Sequence, residues 1–199
     1  MKTGVRPNQV SVFSVVFAVA GVSCLWLREV GMPHWLAWLA CAAGIQLRLL
    51  CNLMDGMLAI EGGLRSPNGD LYNEAPDRLA DTVILAGIGM ASGTEWARNL
   101  GWLAACGALS TAWTRSHGAS LLGRHDFRGP MAKPHRMALA TGLCLVLSVL
   151  DGRGGGAAAL VWGLGAMNAG IAITLIRRLR GISRDLRAKT TTSAESSTP

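Results

Sequence analysis

Long apolar segments, separated by short polar connections, follow one another along most of the chain. The segments at residues 10–27 and 157–176 carry no charged side chain. An α-helix rises about 1.5 Å per residue, so about 20 residues can cross a bilayer hydrocarbon core about 30 Å thick. We predict six such helices, at residues 10–27, 35–60, 74–93, 96–115, 137–150 and 157–176. Because helices satisfy their own backbone polar groups in lipid, the predicted fold is all-α, a polytopic integral membrane protein built as a six-transmembrane-helix bundle.

The charge distribution predicts an orientation for this bundle. Half of the 199 residues are hydrophobic and 16% are charged, yet the net charge is +7. The basic residues gather before the first helix, within residues 115–136 and after the sixth helix, so the positive-inside rule places both termini in the cytoplasm. We therefore predict no nucleic-acid partner, since most tryptophans lie in or near apolar segments rather than among basic residues.

The same pattern divides the chain and predicts its location. Residues 1–180 are predicted to form the membrane domain, and residues 181–199 a basic and then Ser/Thr-rich, disordered tail. The expected location is a bacterial cytoplasmic membrane, with the functional site facing the cytoplasm.

Polar side chains interrupt two of the apolar segments. Asn52 and Asp55 are three residues apart and share a helix face, while Asn73, Asp77 and Asp81 recur every fourth residue. If the short connection between these helices brings the two series together, unpaired carboxylates there need a counter-charge. A hard divalent cation with oxygen ligands, Mg²⁺ or Mn²⁺, meets this need, and all five side chains are candidate ligands.

Simpler interpretations exist for two of these residues. Asp55 could pair with Arg48, two helical turns earlier. Asn73 could be a helix N-cap, because Pro76 would then lie in the first turn, where its missing N–H costs nothing. In that case Asp77 and Asp81 are the carboxylates of this helix that act.

The spacing of these residues resembles the signature of the CDP-alcohol phosphatidyltransferases, D-x2-D-G-x2-A-R-x8-G-x3-D-x3-D. The positions that correspond are Asn52, Asp55, Gly56, Ala59, Ile60, Gly69, Asn73 and Asp77. Two further stretches are similar to the family: "RPNQVS" before the first helix, and "GPMAKPHR" at residues 129–136, which resembles the "GPMGKSDR" of inositol-phosphate-using members. The first and third signature aspartates are asparagines here, and isoleucine replaces the signature arginine. A second register, with Asp77 and Asp81 as the third and fourth aspartates, is also possible.

The resemblance implies a metal-dependent enzyme of phospholipid biosynthesis. Such enzymes transfer a substituted phosphate from CDP-diacylglycerol or another CDP-alcohol to a small alcohol or polyol phosphate, and they release CMP. The resemblance also implies a homodimer in the bilayer.

The resemblance implies roles for individual residues as well. Asp55 and Asp77 would hold the metal, with Asn52 as a weak ligand, and Gly56 and Ala59 would let the donor approach the helix closely. Gly69 keeps the signature spacing. The general base is Asp77 in the family register and Asp81 in the second register. Arg115, Lys133 and Arg136 are candidates to bind an anionic acceptor, or alternatively serve topology and lipid headgroup contacts.

Two rival functions remain compatible with these residues. The polar cluster could line the cation pathway of a transporter, although that leaves the glycine and alanine spacing unexplained. Alternatively, the asparagines and Ile60 could mark a catalytically degenerate, lipid-binding paralogue.

Overall fold

The computed structural model describes residues 7–60 and 69–195. These residues form six α-helices: α1 Pro7–Ser23, α2 His34–Ile60, α3 Gly69–Met90, α4 Glu95–Leu122, α5 Lys133–Leu150 and α6 Gly156–Glu195. Two 3₁₀ turns, Leu27–Val30 and Asp151–Arg153, lie before α2 and before α6. No strand occurs among the described residues, so the predicted all-α fold and its six helices are confirmed.

Several helix boundaries differ from those predicted, three of them by at least about five residues. α3 begins at Gly69, which puts Asn73 in the second turn and Pro76 inside the helix, so Asn73 is not an N-cap. α4 continues to Leu122, where Gly123 ends it with a left-handed φ of 72°. α6 runs to Glu195, so much of the predicted tail is helical, because Arg, Leu, Ala and Lys after residue 183 are good helix formers. The domain boundary at residue 180 stays a prediction.

The six helices pack as a closed ring. α1 packs on α2 and α3, α4 packs on α3 and α6, and α5 packs on α2 and α6. α2 and α3 are consecutive in the sequence and only a short connection separates them, yet they are not among the closely packed helix pairs. Polar side chains from these two helices therefore have space between them inside the ring.

The apolar core fills the ring away from this polar region. Its largest fully buried side chains include Trp38 of α2, Ile84 and Leu85 of α3, Met137 of α5 and Leu164 of α6. A network around Asp151 closes the far end: this carboxylate accepts hydrogen bonds from Arg28 at 2.7 Å and from the Trp38 indole at 2.9 Å. The end with the signature residues is thus the one left open for function.

Membrane crossing is supported for part of the bundle. Of the described segments, His34–Leu58, Lys133–Arg153 and Gly156–Lys189 are long and apolar enough to span a bilayer, and a shorter apolar helix covers Gln9–Ser23. α3 does not qualify by this criterion, since its first half carries charged residues that face the interior. Six membrane crossings, and the orientation of the termini, stay predictions.

Two glycines bring α1 and α2 into direct backbone contact. A Cβ added to Gly44 would lie 2.7 Å from the Gly21 Cα and 2.8 Å from the Phe17 carbonyl oxygen. Neither neighbour is a flexible side chain, so any larger residue at position 44 must push the helices apart. Small residues at helix contacts commonly serve this close approach in membrane proteins.

We expect Gly44→Ala to lower the free energy of unfolding by about 1–3 kcal/mol, as overpacked cores do. The matched control is Gly142→Ala in α5, where an added Cβ meets no atom within 4 Å. There the higher helix propensity of alanine should leave stability unchanged or raise it by about 0.5–1 kcal/mol. Thermal unfolding of the two detergent-purified variants measures the difference, and equal Tm values would contradict the close contact.

Candidate active site

The candidate active site lies inside the ring, where α2 ends and α3 begins. A cavity of about 410 Å³ opens there between α3, α4, α5 and α6. Its polar lining residues are Glu74, Asp77, Arg78, Asp81, Thr111, Arg115, Lys133, His135, Arg136 and Arg178. A second cavity, of about 360 Å³, lies between α2 and α5 and is lined by Gln46, Asn52, Lys133 and apolar residues of both helices. Of these two cavities, the one of about 410 Å³ is called the large cavity. Lys133 borders both cavities.

Asp55 is buried at the α1 side of this site. Its side chain is 4% exposed, and its Oδ2 accepts a hydrogen bond of 2.5 Å from the Ser11 hydroxyl. Its other oxygen, Oδ1, is buried and has no hydrogen-bond partner. Burying a carboxylate oxygen without a hydrogen-bond partner is energetically unfavourable. The Asp55 carboxylate can therefore gain stability by binding a cation or a hydrogen-bond donor.

Asp77 stands at the centre of the site, on α3. Its Oδ1 accepts hydrogen bonds from Arg48 of α2 at 3.2 Å and from the Asn52 amide, and its Oδ2 accepts one from the Lys133 ammonium of α5. Asp77 therefore links three helices that do not all pack directly on one another. It is also more exposed than Asp55, since the large cavity reaches it.

Asp81, one turn further along α3, lies between two buried arginines. Arg48 Nη2 donates to its Oδ1 at 2.5 Å, and Arg136 Nη2 donates to its Oδ2 at 3.0 Å. Arg48 is completely buried and contacts Asp77 and Asp81, so the simpler pairing of Arg48 with Asp55 is not found. Both oxygens of Asp81 are thus occupied by cations that belong to the protein.

Because arginines bind both oxygens of Asp81, the metal cluster predicted from the sequence changes. In the part of the chain that the structure describes, no three His, Cys, Asp or Glu side chains are grouped closely enough to hold a metal ion. Asp55 and Asp77 remain, together with the Asn52 amide, and the unpaired Asp55 Oδ1 supplies a free ligand atom. Two carboxylates and an amide are all oxygen donors, which fits one hard divalent cation.

Positive charge covers the opposite side of the large cavity. Arg78 and Arg115 both bond to the Glu74 carboxylate, Arg115 at 3.0 Å, and Ser116 donates to the same group at 3.1 Å. Arg178 is buried and donates to the Thr111 carbonyl at 2.8 Å. The lining holds more cations than anions, so the cavity favours an anionic ligand.

The buried polar atoms without a partner all belong to this region. Among the described residues they are Arg48 Nε and Nη1, Asp55 Oδ1, Arg115 Nε and Arg136 Nε. Folded proteins rarely leave such atoms unsatisfied, and where they do, a functional site or a bound ligand is a common reason. Arg115 and Arg136 line the large cavity, so part of this unsatisfied hydrogen-bonding capacity lies beside it.

The other predicted residues lie around these groups. Asn73 is exposed on α3, one turn before Asp77. A Cβ added to Gly56 would meet no atom within 4 Å, so space is open beside the turn that carries Asp55. Ala59 lies in the last turn of α2, and Gly69 is the first residue of α3. Arg136 faces the cavity and holds Asp81, as described above.

Several residues of the site escaped the sequence reasoning. Ser11 lies within the "RPNQVS" stretch, but nothing in the sequence connects it with Asp55. Glu74 and Arg78 are four residues apart, a spacing typical of an ion pair on a helix, and this signal could have identified them. Arg178 was hidden among the basic residues that indicate topology, and only packing shows that it is buried.

Comparisons with known proteins agree with this geometry. No protein-family model matches the chain. A bifunctional IPC transferase and DIPP synthase from Rubrobacter xylanophilus is 30% identical over 128 residues, which are 64% of this chain and 28% of the relative. The chain thus matches little more than a quarter of the length of that relative.

Solved structures show the same fold. The phosphatidylinositol phosphate synthase of Mycobacterium tuberculosis with CDP-DAG bound has a TM-score of 0.71 and 19% identity, covering 90% of this chain and 87% of that chain. The same synthase in complex with manganese and citrate has a TM-score of 0.71 and 17% identity, covering 90% and 83%. The chain therefore has the fold of these synthase structures, and it is similar to the CDP-alcohol phosphatidyltransferases in the spacing of the signature residues, with asparagine at the first and third signature aspartates.

Proposed function

We propose that this protein transfers a substituted phosphate from a CDP-linked donor to a small alcohol or polyol phosphate and releases CMP. CDP-diacylglycerol is the first candidate donor, since the neighbouring synthase structure contains it. The observation that carries the proposal is the buried, unpaired oxygen of Asp55, which interacts electrostatically with Asp77, a carboxylate that lines a cavity rich in cations. A phosphate-transfer site needs this combination of cation ligands and anion-binding groups.

The metal ligands in this proposal are Asp55 and Asp77, with the Asn52 amide oxygen as a weaker third ligand. Mg²⁺ or Mn²⁺ bound there would neutralise charge on the donor pyrophosphate. Asn52 now donates to Asp77, and a rotation of its amide by half a turn would present the carbonyl oxygen instead. Asn73 and Asp81 are weaker candidates, since Asn73 is exposed and Asp81 is engaged by two arginines.

The two cavities suggest separate routes for the two substrates. The cavity between α2 and α5 includes Leu49, Leu53 and Ala138, and Leu53 is exposed on the outside of the bundle, where a lipid donor could enter from the bilayer. The large cationic cavity would receive the water-soluble acceptor. Asp77 and Lys133 lie between them, where the substrates would meet.

The reaction forms one bond and breaks one. The acceptor hydroxyl oxygen attacks the donor phosphorus that carries the lipid, and the bond from that phosphorus to the CMP oxygen breaks. The hydroxyl proton must pass to a base. Asp77 is the better candidate. Both carboxylates line the large cavity, but the Asp77 side chain is 19% exposed against 7% for Asp81, and its Oδ2 is held by the Lys133 ammonium rather than by a buried guanidinium. Asp81 would instead hold Arg48 and Arg136 in position.

The cationic lining would select an anionic acceptor. Arg115 and Arg136 each keep a buried Nε without a partner, and Lys133 is half-buried between the cavities. An acceptor phosphate that binds these groups would draw Lys133 away from Asp77, which would free an Asp77 oxygen to take the proton. The buried part of the acceptor site thus favours a phosphorylated polyol over a neutral alcohol.

The bundle as a whole is proposed to cross a bacterial cytoplasmic membrane six times as a homodimer. Both termini and the candidate active site would then face the cytoplasm, as the basic residues indicate. The exposed apolar side chains on the outside of all six helices support contact with lipid or with a second copy.

We expect Asp55→Asn and Asp77→Asn each to reduce CMP release by about 100-fold or more, through loss of a metal ligand or of the base. The assay uses the purified chain, radiolabelled CDP-diacylglycerol and Mg²⁺ or Mn²⁺, with a panel of alcohols and polyol phosphates. Glu95→Gln, at the exposed start of α4, is the matched control and should keep wild-type activity. Near-wild-type turnover by either aspartate variant contradicts the assignment, and no CMP with any acceptor or metal favours the degenerate paralogue.

We expect Gly56→Leu to lower kcat/KM for the donor by about 100-fold, since a side chain there fills the open space beside Asp55. The protein should remain folded, because an added Cβ at this position meets no protein atom within 4 Å. Gly142→Leu, also in open space but on α5, is the control and should keep wild-type kinetics. Equal kinetics for the two variants would show that the donor does not use the space beside Gly56.

A further inference from the structure

A second basic surface lies outside the candidate active site, where the connection between α4 and α5 meets α6. A groove of about 500 Å³ is lined there by Arg128, Gly129, Arg177, Arg180, Gly181 and Arg184, which we call the arginine groove. None of these described lining residues carries a carboxylate. The groove therefore holds four guanidinium groups in its wall, of which only Arg128 is paired with described carboxylates, those of Asp126 and Asp185 beside the groove.

Three of the arginines share one face of α6. Arg177, Arg180 and Arg184 are spaced by three and four residues, and all three are exposed. Like charges at this spacing repel one another and destabilise a helix. A bound anion would remove this repulsion, so the arrangement is more stable with a ligand than without one.

The fourth arginine is fixed across the groove. Arg128 Nη2 donates to Asp185 Oδ2 at 2.7 Å, and Arg128 Nε donates to Asp126 Oδ1 at 3.0 Å. These hydrogen bonds raise the pKa of Arg128, so its charge is maintained. The guanidinium also rests on Gly181, where an added Cβ would lie 2.6 Å from Arg128 Cζ.

The main chain at the groove is tied to α6 as well. Arg178 Nε donates to the Arg128 carbonyl at 3.0 Å, and the buried Thr174 hydroxyl accepts from the Met131 N–H at 2.9 Å. Both sides of the groove are thus held at a set separation by contacts that do not use Arg177, Arg180 or Arg184. The side chains of Arg177, Arg180 and Arg184 line the groove and take no part in these contacts.

Apolar side chains alternate with these arginines on the outside of α6. Ile173, Ile176 and Leu179 are 45%, 47% and 49% exposed. Exposed apolar and basic side chains in the same turns are typical of a helix segment at the membrane interface. There the guanidinium groups contact lipid phosphates, and the apolar side chains remain in the hydrocarbon region. This arrangement favours a phospholipid over an anion dissolved in water.

We propose that the arginine groove binds the headgroup of an anionic phospholipid at a site separate from the one where CMP would be released. The charge of the groove is complementary to a headgroup with a net negative charge, and the neighbouring apolar residues would contact its acyl chains. The proposal does not depend on the proposed reaction, because neither cavity of the candidate active site includes the three exposed arginines.

The test is native mass spectrometry of the purified full chain in neutral detergent, titrated with phosphatidylglycerol, phosphatidylcholine or inorganic phosphate. We expect the wild type to retain phosphatidylglycerol and not phosphatidylcholine. Each arginine near a membrane surface strengthens anion binding about fivefold, so R177Q/R180Q/R184Q should bind phosphatidylglycerol about 100-fold more weakly. The binding is measured without CDP-linked donor, so it can succeed or fail independently of turnover.

Two controls separate this site from general basicity. R177K/R180K/R184K keeps the charge and should bind within a few-fold of wild type, and Arg153→Gln, at the other end of the bundle, should bind as wild type. Should the triple glutamine variant not fold, Arg180→Gln alone is expected to weaken binding about fivefold. The proposal is overturned if R177Q/R180Q/R184Q binds like wild type, if phosphatidylcholine binds as well as phosphatidylglycerol, or if inorganic phosphate displaces the lipid at equal concentration.

Discussion

The buried guanidinium of Arg48 is the constraint on which the rest of the site depends. It lies in the gap between α2 and α3, which do not pack closely, and it donates to both Asp77 and Asp81. A buried charge without such partners would be very unfavourable. Because Asp81 also accepts from Arg136, one network fixes the mutual positions of α2, α3 and α5 around the cavity.

This network explains how the protein can carry fewer aspartates than the signature that its sequence resembles. Two asparagines remove two negative charges, and the protein's own Arg48, Lys133 and Arg136 supply counter-charges for the aspartates that remain. Among the carboxylates that the structure describes, Asp55 alone keeps a buried oxygen without a partner. Three protein cations thus offset three carboxylates, so the charge of the divalent cation proposed at Asp55 and Asp77 would be balanced by the phosphates of the donor, while Asp81 holds the arginine pair.

Close helix contacts make this arrangement possible. Gly21 and Gly44 join α1 to α2, and Gly89 and Gly101 join α3 to α4 through similar backbone approaches. These contacts hold the outer ring together without large side chains. The ring can then keep a polar interior at one end, because its apolar packing is concentrated at the other end and in the glycine contacts.

The sequence by itself determined the six helices, their connections and the spacing of Asp55 and Asp77, because these depend on local hydrophobicity and on helical periodicity. It could not determine which cation meets which carboxylate. Arg48 was assigned to Asp55 as a possible partner two turns away on α2, yet it reaches across to α3, and Asn73 resembled a cap although its helix begins at Gly69. Such pairings depend on the distance and rotation between helices far apart in sequence, and only the tertiary packing sets these.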